Sequence, residues 1–222
     1  MHLDSKQIKD NFSRFSNIYD ENTNIQQKSA QNLVTESLKY LKITPDSQIL
    51  DLGSGTGNVS KFILENQPEG TNSVENIINC DFSLSMLKSS RTKANKICAD
   101  MCNLPLKRKE FFTHIYSSFC LQWLNNEQIE KLLQNLYQIC KPNGVISFCY
   151  PIDGSFLEFH DANTNSDCNF RFTKLPLADN IYNIIEKSGF TVKYSAINDY
   201  KGKYQNAISF LKSIKDLSLI HI

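Results

Sequence analysis

No stretch of this 222-residue chain is apolar for long enough to cross a bilayer as a helix, which takes about 20 consecutive residues. Charge of neither sign is in excess: 24 Lys and Arg stand against 23 Asp and Glu, interspersed, so no basic field marks a nucleic-acid backbone as the partner. The opening MHLDSKQIKDNF lacks the apolar core of a signal peptide, and no repeat or low-complexity tract breaks the chain. The expectation is a cytoplasmic monomer that engages neither membrane nor nucleic acid.

The seven cysteines, an odd number, are scattered through apparent strands and helices, which reads as reduced, mostly buried thiols. Cys98 and Cys102 are the one close pair. No second Cys or His pair stands at zinc-finger spacing, so they are read as small core hydrophobes and no metal is expected.

What is present is an alternation. Two helical runs open the chain, one through Ile8, Phe12, Phe15 and Tyr19, the other through Ala30, Leu33, Val34, Leu38 and Leu41, before Thr44-Pro45-Asp46 breaks the pattern. Then come short apolar stretches (QILDL, NIINC, KICA, THIYSS, VISFCY) separated by amphipathic segments at about 58–65, 83–91 and 127–140. Pro142-Asn143-Gly144 reads as a helix end ahead of VISFCY. A helix at about 178–187, a strand in GFTVKYSAI and a last helix in NAISFLKSI follow. Strands alternating with helices imply an α/β fold, a mostly parallel sheet with helices on both faces, because parallel neighbours need crossover connections. Ligands of such sheets collect at the carboxyl ends of the strands.

The first strand runs into ILDLGSGTGN, residues 49–58. A dinucleotide fingerprint would place its third glycine one position later, where Asn58 stands, and a phosphate-binding Walker loop would carry a Lys that is missing. Instead Asp51 precedes Gly53, Ser54, Gly55 and Gly57. A carboxylate there repels phosphate and attracts an ammonium group, which suits S-adenosylmethionine, a nucleoside with an amino-acid end and no pyrophosphate. Asp81, 24 positions after Gly57 and followed by Phe82, is placed to accept from ribose hydroxyls. Asp100 is placed to accept from the adenine amine, with Met101 against the ring. Each of these aspartates could equally be a helix N-cap. Three at successive strand ends favour cofactor binding.

ILDLGSGTG, CDFSLSML, ADMCNLPL and KPNGVISF resemble the class I S-adenosylmethionine-dependent methyltransferases, and segments outside these motifs are similar to one family, the malonyl-[acyl-carrier protein] O-methyltransferases of biotin synthesis. NFSRFSNIYDENTNIQQKSAQNL carries that family's opening pattern at Phe12, Arg14, Tyr19, Gln26, Ser29 and Ala30. SSFCLQWLNN carries its Gln-Trp as Gln122 and Trp123, while DGSFLEFH and NFRF match its later segments. Thr113-His114 stands where the family usually has an Asp, and Ser118 replaces a common Asn beside Ser117. After Lys215 the tail LSLIHI departs from the family pattern, which continues through a helix to a final antiparallel strand. The tail is set aside as a cloning or assembly scar, and the edge of the sheet is expected to be open.

The resemblance implies a Rossmann-like methyltransferase domain with a helical lid over 1–42, a cofactor-binding core over 43–150 and a substrate-side segment over 151–222. It implies methyl transfer from S-adenosylmethionine to the free carboxylate of malonyl-[acyl-carrier protein]. Because that carboxylate ionises with a pKa of roughly 4, no catalytic base is required. His114 and His160 are therefore assigned none of the chemistry. Tyr19 and Gln26 are the lid residues, Tyr19 near the methionine end, and Ser117 adds a cofactor contact. Gln122, Trp123 and Arg171 stand on the acceptor side, although Trp123 could be an ordinary core aromatic and Arg171 a surface ion pair. Lys201, Lys203, Lys212 and Lys215 would meet an acidic carrier protein. The alternatives are another class I small-molecule methyltransferase and a non-catalytic assembly factor that kept the fold.

Overall fold

The computed structural model describes residues 12–13, 24–66, 74–166, 170–216 and 219–221. Five parallel strands form one sheet: β1 (Ile49–Leu52), β2 (Ile77–Asp81), β3 (Asn95–Cys98), β4 (Phe112–Ser118) and β5 (Cys140–Cys149), in the order β3-β2-β1-β4-β5. The order reverses between β1 and β4, where Ile49 faces His114 and Leu52 faces Ser117. The carboxyl ends of those two strands therefore flank the sheet's natural crevice.

Alternation along β1 divides the core. Leu50 and Leu52 join Ile115 and the apolar side of α4 (Asn126–Ile139), namely Leu132, Leu136 and Ile139. Those positions recur every three or four residues, the spacing of one helix face. A capping box, in which Asn125 accepts from the Gln128 amide and Gln128 from the Asn125 amide, fixes where α4 begins. On the other face Ile49 and Tyr116 meet Ala30 and Val34 of α1 (Asn24–Ser37), and Val59 and Ile63 of α2 (Asn58–Asn66). Between β2 and β3 runs α3 (Leu84–Ser89), with Ser83 as its N-cap.

α1 is locked down. Ser37 Oγ donates to the Val34 carbonyl at 2.8 Å and so accepts from the Tyr116 hydroxyl, also at 2.8 Å, deep in the interface.

Past the sheet, α5 (Leu157–Thr164), the two-residue strands β6 (Arg171–Phe172) and β7 (Ile220–His221), α6 (Ala178–Lys187) and α7 (Ala207–Asp216) complete the described chain. β6 and β7 pair antiparallel in a small sheet of their own. Phe159, Leu175, Ile214, Leu219 and Ile220 form a satellite core there, with Trp123, Phe172 and Phe210 against it.

Four sequence expectations are corrected. Residues 190–204 form no strand, and Tyr194 and Ile197 are exposed. Their alternating pattern finds no neighbour to complete a ladder, and a strand cannot stand without one. α4 ends at Ile139, and β5 starts at Cys140, absorbing Lys141–Gly144 as an irregularity in register with Asn143 at φ +62. The tail that was set aside packs: Leu219 and Ile220 are buried, and the Leu219 amide donates to Ile214. Cys98 lies exposed on edge strand β3, so only Cys102 of that pair belongs to the core. All six cysteines among the described residues are free thiols. No described helix is long and apolar enough to cross a membrane.

Candidate active site

A cleft of about 350 Å3, open solvent included, lies at the switch point. It is lined by Asp51 and the turn Gly53-Ser54-Gly55-Thr56, by Asn58 and Val59 of α2, by Gln26 of α1, and by Ser118 and Phe119 at the end of β4.

The turn is closed tightly enough to require glycine. Gly53 has φ +63, and a Cβ there would overlap the Cys120 sulfur. Gly57, at φ +89, would place a Cβ 2.7 Å from Ser90 Oγ. A side chain at either position meets both a left-handed backbone and an occupied space.

Asp51 supplies the charge. It lies in register between Asn79 of β2 and Tyr116 of β4, so three polar side chains cross the sheet in one row. Asn79 donates to Thr92 and Tyr116 bonds Ser37, but neither carboxylate oxygen of Asp51 has a hydrogen-bond partner. Burial pushes its pKa up to about 7; the Ser60 amide lowers it somewhat without forming a bond to either oxygen, and the nearby Asp81 raises it further. Ser54 Oγ is also buried and unpartnered. Two orphaned acceptors at the bottom of a cleft floored by glycines call for a cation that also donates hydrogen bonds, and the ammonium end of S-adenosylmethionine is such a group. The residues present fit that cofactor.

Asp81 is arranged differently. Its Oδ2 accepts from the Gly55 amide at 2.9 Å and its Oδ1 from the Ser83 amide at 2.8 Å, tying the glycine turn to the end of β2. Burial raises its pKa, opposed by these amides and that of Phe82. Each oxygen keeps a second lone pair for a ribose hydroxyl. Asp100 is exposed and caps the short turn Met101–Asn103, accepting from the Cys102 amide at 2.9 Å and the Asn103 side chain at 3.2 Å.

Of the other residues singled out in the sequence, Gln26, Gly53, Ser54 and Gly55 line the cleft with Asp51. Ser117 is buried, its hydroxyl donated to the Leu52 carbonyl at 3.0 Å. Gln122 is buried and donates from Nε2 to the Phe119 carbonyl at 2.9 Å. Trp123 packs edge-on to Phe12 at 6.0 Å and leans on the satellite core, with its indole N–H unpartnered. Arg171 is exposed on β6. Tyr19 lies outside the described residues. Phe12 and Ser13 lie near residues that follow the carboxyl ends of β4 and β2, Phe12 on Trp123 and Ser13 Oγ 3.0 Å from Ser83 Oγ. Sequence reasoning gave no site role to Ser118 and Phe119, which line the cleft, or to Cys120, which abuts Gly53. Their position at the end of the fourth strand, opposite the glycine turn, was the available signal.

A methyltransferase-domain family profile matches residues 50–148. The chain is 26% identical over 225 residues to malonyl-[acyl-carrier protein] O-methyltransferase 1 of Ilyobacter polytropus, covering 97% of this chain and 78% of that one. It is 31% identical over 147 residues to the malonyl-[acyl-carrier protein] O-methyltransferase of Bacillus cereus, where the match takes in 64% of this chain and 51% of the relative. A solved S-adenosylmethionine-dependent methyltransferase of Thermotoga maritima superposes with a TM-score of 0.57 at 20% identity, over 83% of this chain and 82% of that one. Residues 50–148 match a methyltransferase domain, and the sheet order and the carboxylate beneath the glycine turn give this chain the fold of the class I S-adenosylmethionine-dependent methyltransferases.

Proposed function

We propose that the protein methylates the free carboxylate of a malonyl group carried as a thioester on an acyl carrier protein. Two relatives that bear that name support the choice of acceptor, at 26% and 31% identity. The observation that carries the reading is the buried, unpartnered Asp51 carboxylate in the cleft, which supplies the one charge a sulfonium amino acid needs there. Asp51 and Ser54 would hold the amino-acid end, Asp81 the ribose, and Phe82, Asp100 and Met101 the base.

Bound S-adenosylmethionine supplies an electrophilic methyl group on a positively charged sulfur. The chain's own task is to orient and to dry the site. A malonyl carboxylate is already ionised near neutral pH, so nothing need take a proton from it. His114 is unsuited to that role in any case: it is buried in β4, its Nε2 donates to the Leu41 carbonyl at 3.1 Å, and burial lowers its pKa. Gln26 and Phe119 wall the cleft against water, and the amino-terminal segment, with Tyr19, would close over it. Gln122, Trp123 and Arg171 would face the acceptor. The exposed Lys201, Lys203, Lys212 and Lys215 would meet the carrier's acidic surface.

The test is to incubate the protein with methyl-labelled S-adenosylmethionine and malonyl carrier protein. Label should appear as a methyl ester on the malonyl group, released by mild base. Retention of label on the protein with no ester would overturn the reading.

A further inference from the structure

Phe119 lines the cleft with φ +56, a region bulky side chains rarely enter. Two hydrogen bonds hold it there. Its amide donates to the Cys149 carbonyl of β5 at 2.8 Å, and its carbonyl accepts from Nε2 of Gln122 at 2.9 Å. Gln122 is only 4% exposed, and its Oε1 has no partner. A buried amide left half-satisfied is destabilising, so its other half must be holding something. What it holds is the backbone carbonyl of Phe119, the one aromatic residue among the described residues that line the cleft, the rest being mostly glycine, small or polar. That residue stands at the end of β4, across the switch point from Asp51. With an ammonium on Asp51, the sulfur of the same amino acid would follow three carbons further along, inside the cleft that Phe119 also lines.

We propose that Phe119 limits the size of the group the cleft admits on that sulfur, and that Gln122 is a positioning residue acting through Phe119. The inference rests on reading the cleft as the S-adenosylmethionine site and is independent of the acceptor's identity.

Binding calorimetry on the full chain tests it with three probes: S-adenosylmethionine, S-adenosylhomocysteine and the S-ethyl analogue of the donor. The unaltered protein should bind the ethyl analogue roughly tenfold or more weakly than the methyl donor, the selectivity one methylene gives in a walled pocket. Phe119→Gly should bring the two within about threefold of each other, with any loss common to all three nucleosides read from S-adenosylhomocysteine and divided out. Gln122→Met should relax the selectivity in the Phe119 background and add nothing in the Phe119→Gly background. Because glycine accepts the left-handed backbone, Phe119→Gly should also melt at a higher temperature than Phe119→Ala.

Undiminished selectivity in Phe119→Gly, or an equal effect of Gln122→Met in both backgrounds, overturns the proposal. If the unaltered protein binds none of the three nucleosides, the cleft assignment falls and this inference with it. The expected selectivity pattern without any malonyl ester would sustain the inference and refute the acceptor alone.

Discussion

Replacing Asp51 with Asn should stabilise the ligand-free protein, and increasingly so as the pH rises. In the unfolded chain an Asp titrates near 3.9; in the fold Asp51 titrates near 7 because burial disfavours its charge. Below about pH 4 both states hold the proton and the site adds no cost. Between 4 and 7 the unfolded chain has released the proton while the fold retains it, so stability falls by about 1.4 kcal/mol per pH unit. Above 7 both are ionised and the loss levels off at roughly 4 kcal/mol. Asn carries no proton to titrate. The stability advantage of Asp51→Asn over the parent should therefore grow by roughly 2.5 kcal/mol between pH 5 and pH 8, equivalent to about 5–10 °C in melting temperature for a chain this size. Asp81 is present in both proteins, and the part of the Asp51 shift that its charge causes is included in the difference. Urea unfolding of the two at both pH values measures the difference directly. Parallel pH profiles would refute the claim that this carboxylate is buried without a partner. The same substitution should weaken S-adenosylhomocysteine binding by about 10–100-fold, the worth of a charge-assisted hydrogen bond, so stability and affinity should move in opposite directions.

Gly53→Ala should destabilise by about 2–3 kcal/mol in thermal unfolding, because the new methyl meets the Cys120 sulfur and a left-handed backbone at once. Adding Cys120→Ala should restore the part due to overlap and leave about 1 kcal/mol due to φ. Asp81→Ala should cut nucleoside affinity by at least about tenfold while Cys98→Ala leaves it within about twofold, since Asp81 ties the glycine turn to β2 whereas Cys98 is exposed. Equal losses in calorimetry would sink that assignment. Tyr116→Phe and Ser37→Ala should each cost about 1 kcal/mol, and the double variant little more than either, because both remove one shared hydrogen bond.

The five strands of the main sheet were legible because each is a short apolar run closed by turn residues, and the central ones, covered on both faces, need no alternation to announce them. GFTVKYSAI misled for the converse reason. Its alternation is real, but pairing depends on a neighbour that no local pattern reports. The strand expected to begin at Val145 starts at Cys140, which shows how little a Pro-Asn-Gly run says about whether the strand has already begun. In the cleft, the glycine turn and Asp51 could be read directly, since only backbone freedom and charge were at issue. Phe119 could not be read. Its left-handed backbone is imposed by contacts from Cys149 and Gln122, and nothing about a phenylalanine in sequence marks it for such a turn. Ser117 was legible as a residue at a strand end, but the bond from its hydroxyl to the Leu52 carbonyl, one strand over, is a non-local contact that no local pattern reports.

The pairing of Ile49 with His114 joins residues 65 positions apart, and the two segments that would complete the sheet on the far side of β1 lie between them. As the chain leaves the ribosome, β1, β2 and β3 can assemble with the glycine turn already made, yet the wall opposite that turn has still to be synthesised. Non-local parallel pairing of this kind is slow to form. The nucleoside pocket is thus among the late events of folding. A chain that has captured its donor has necessarily finished closing the centre of its sheet, and the donor in turn draws the closing step toward completion.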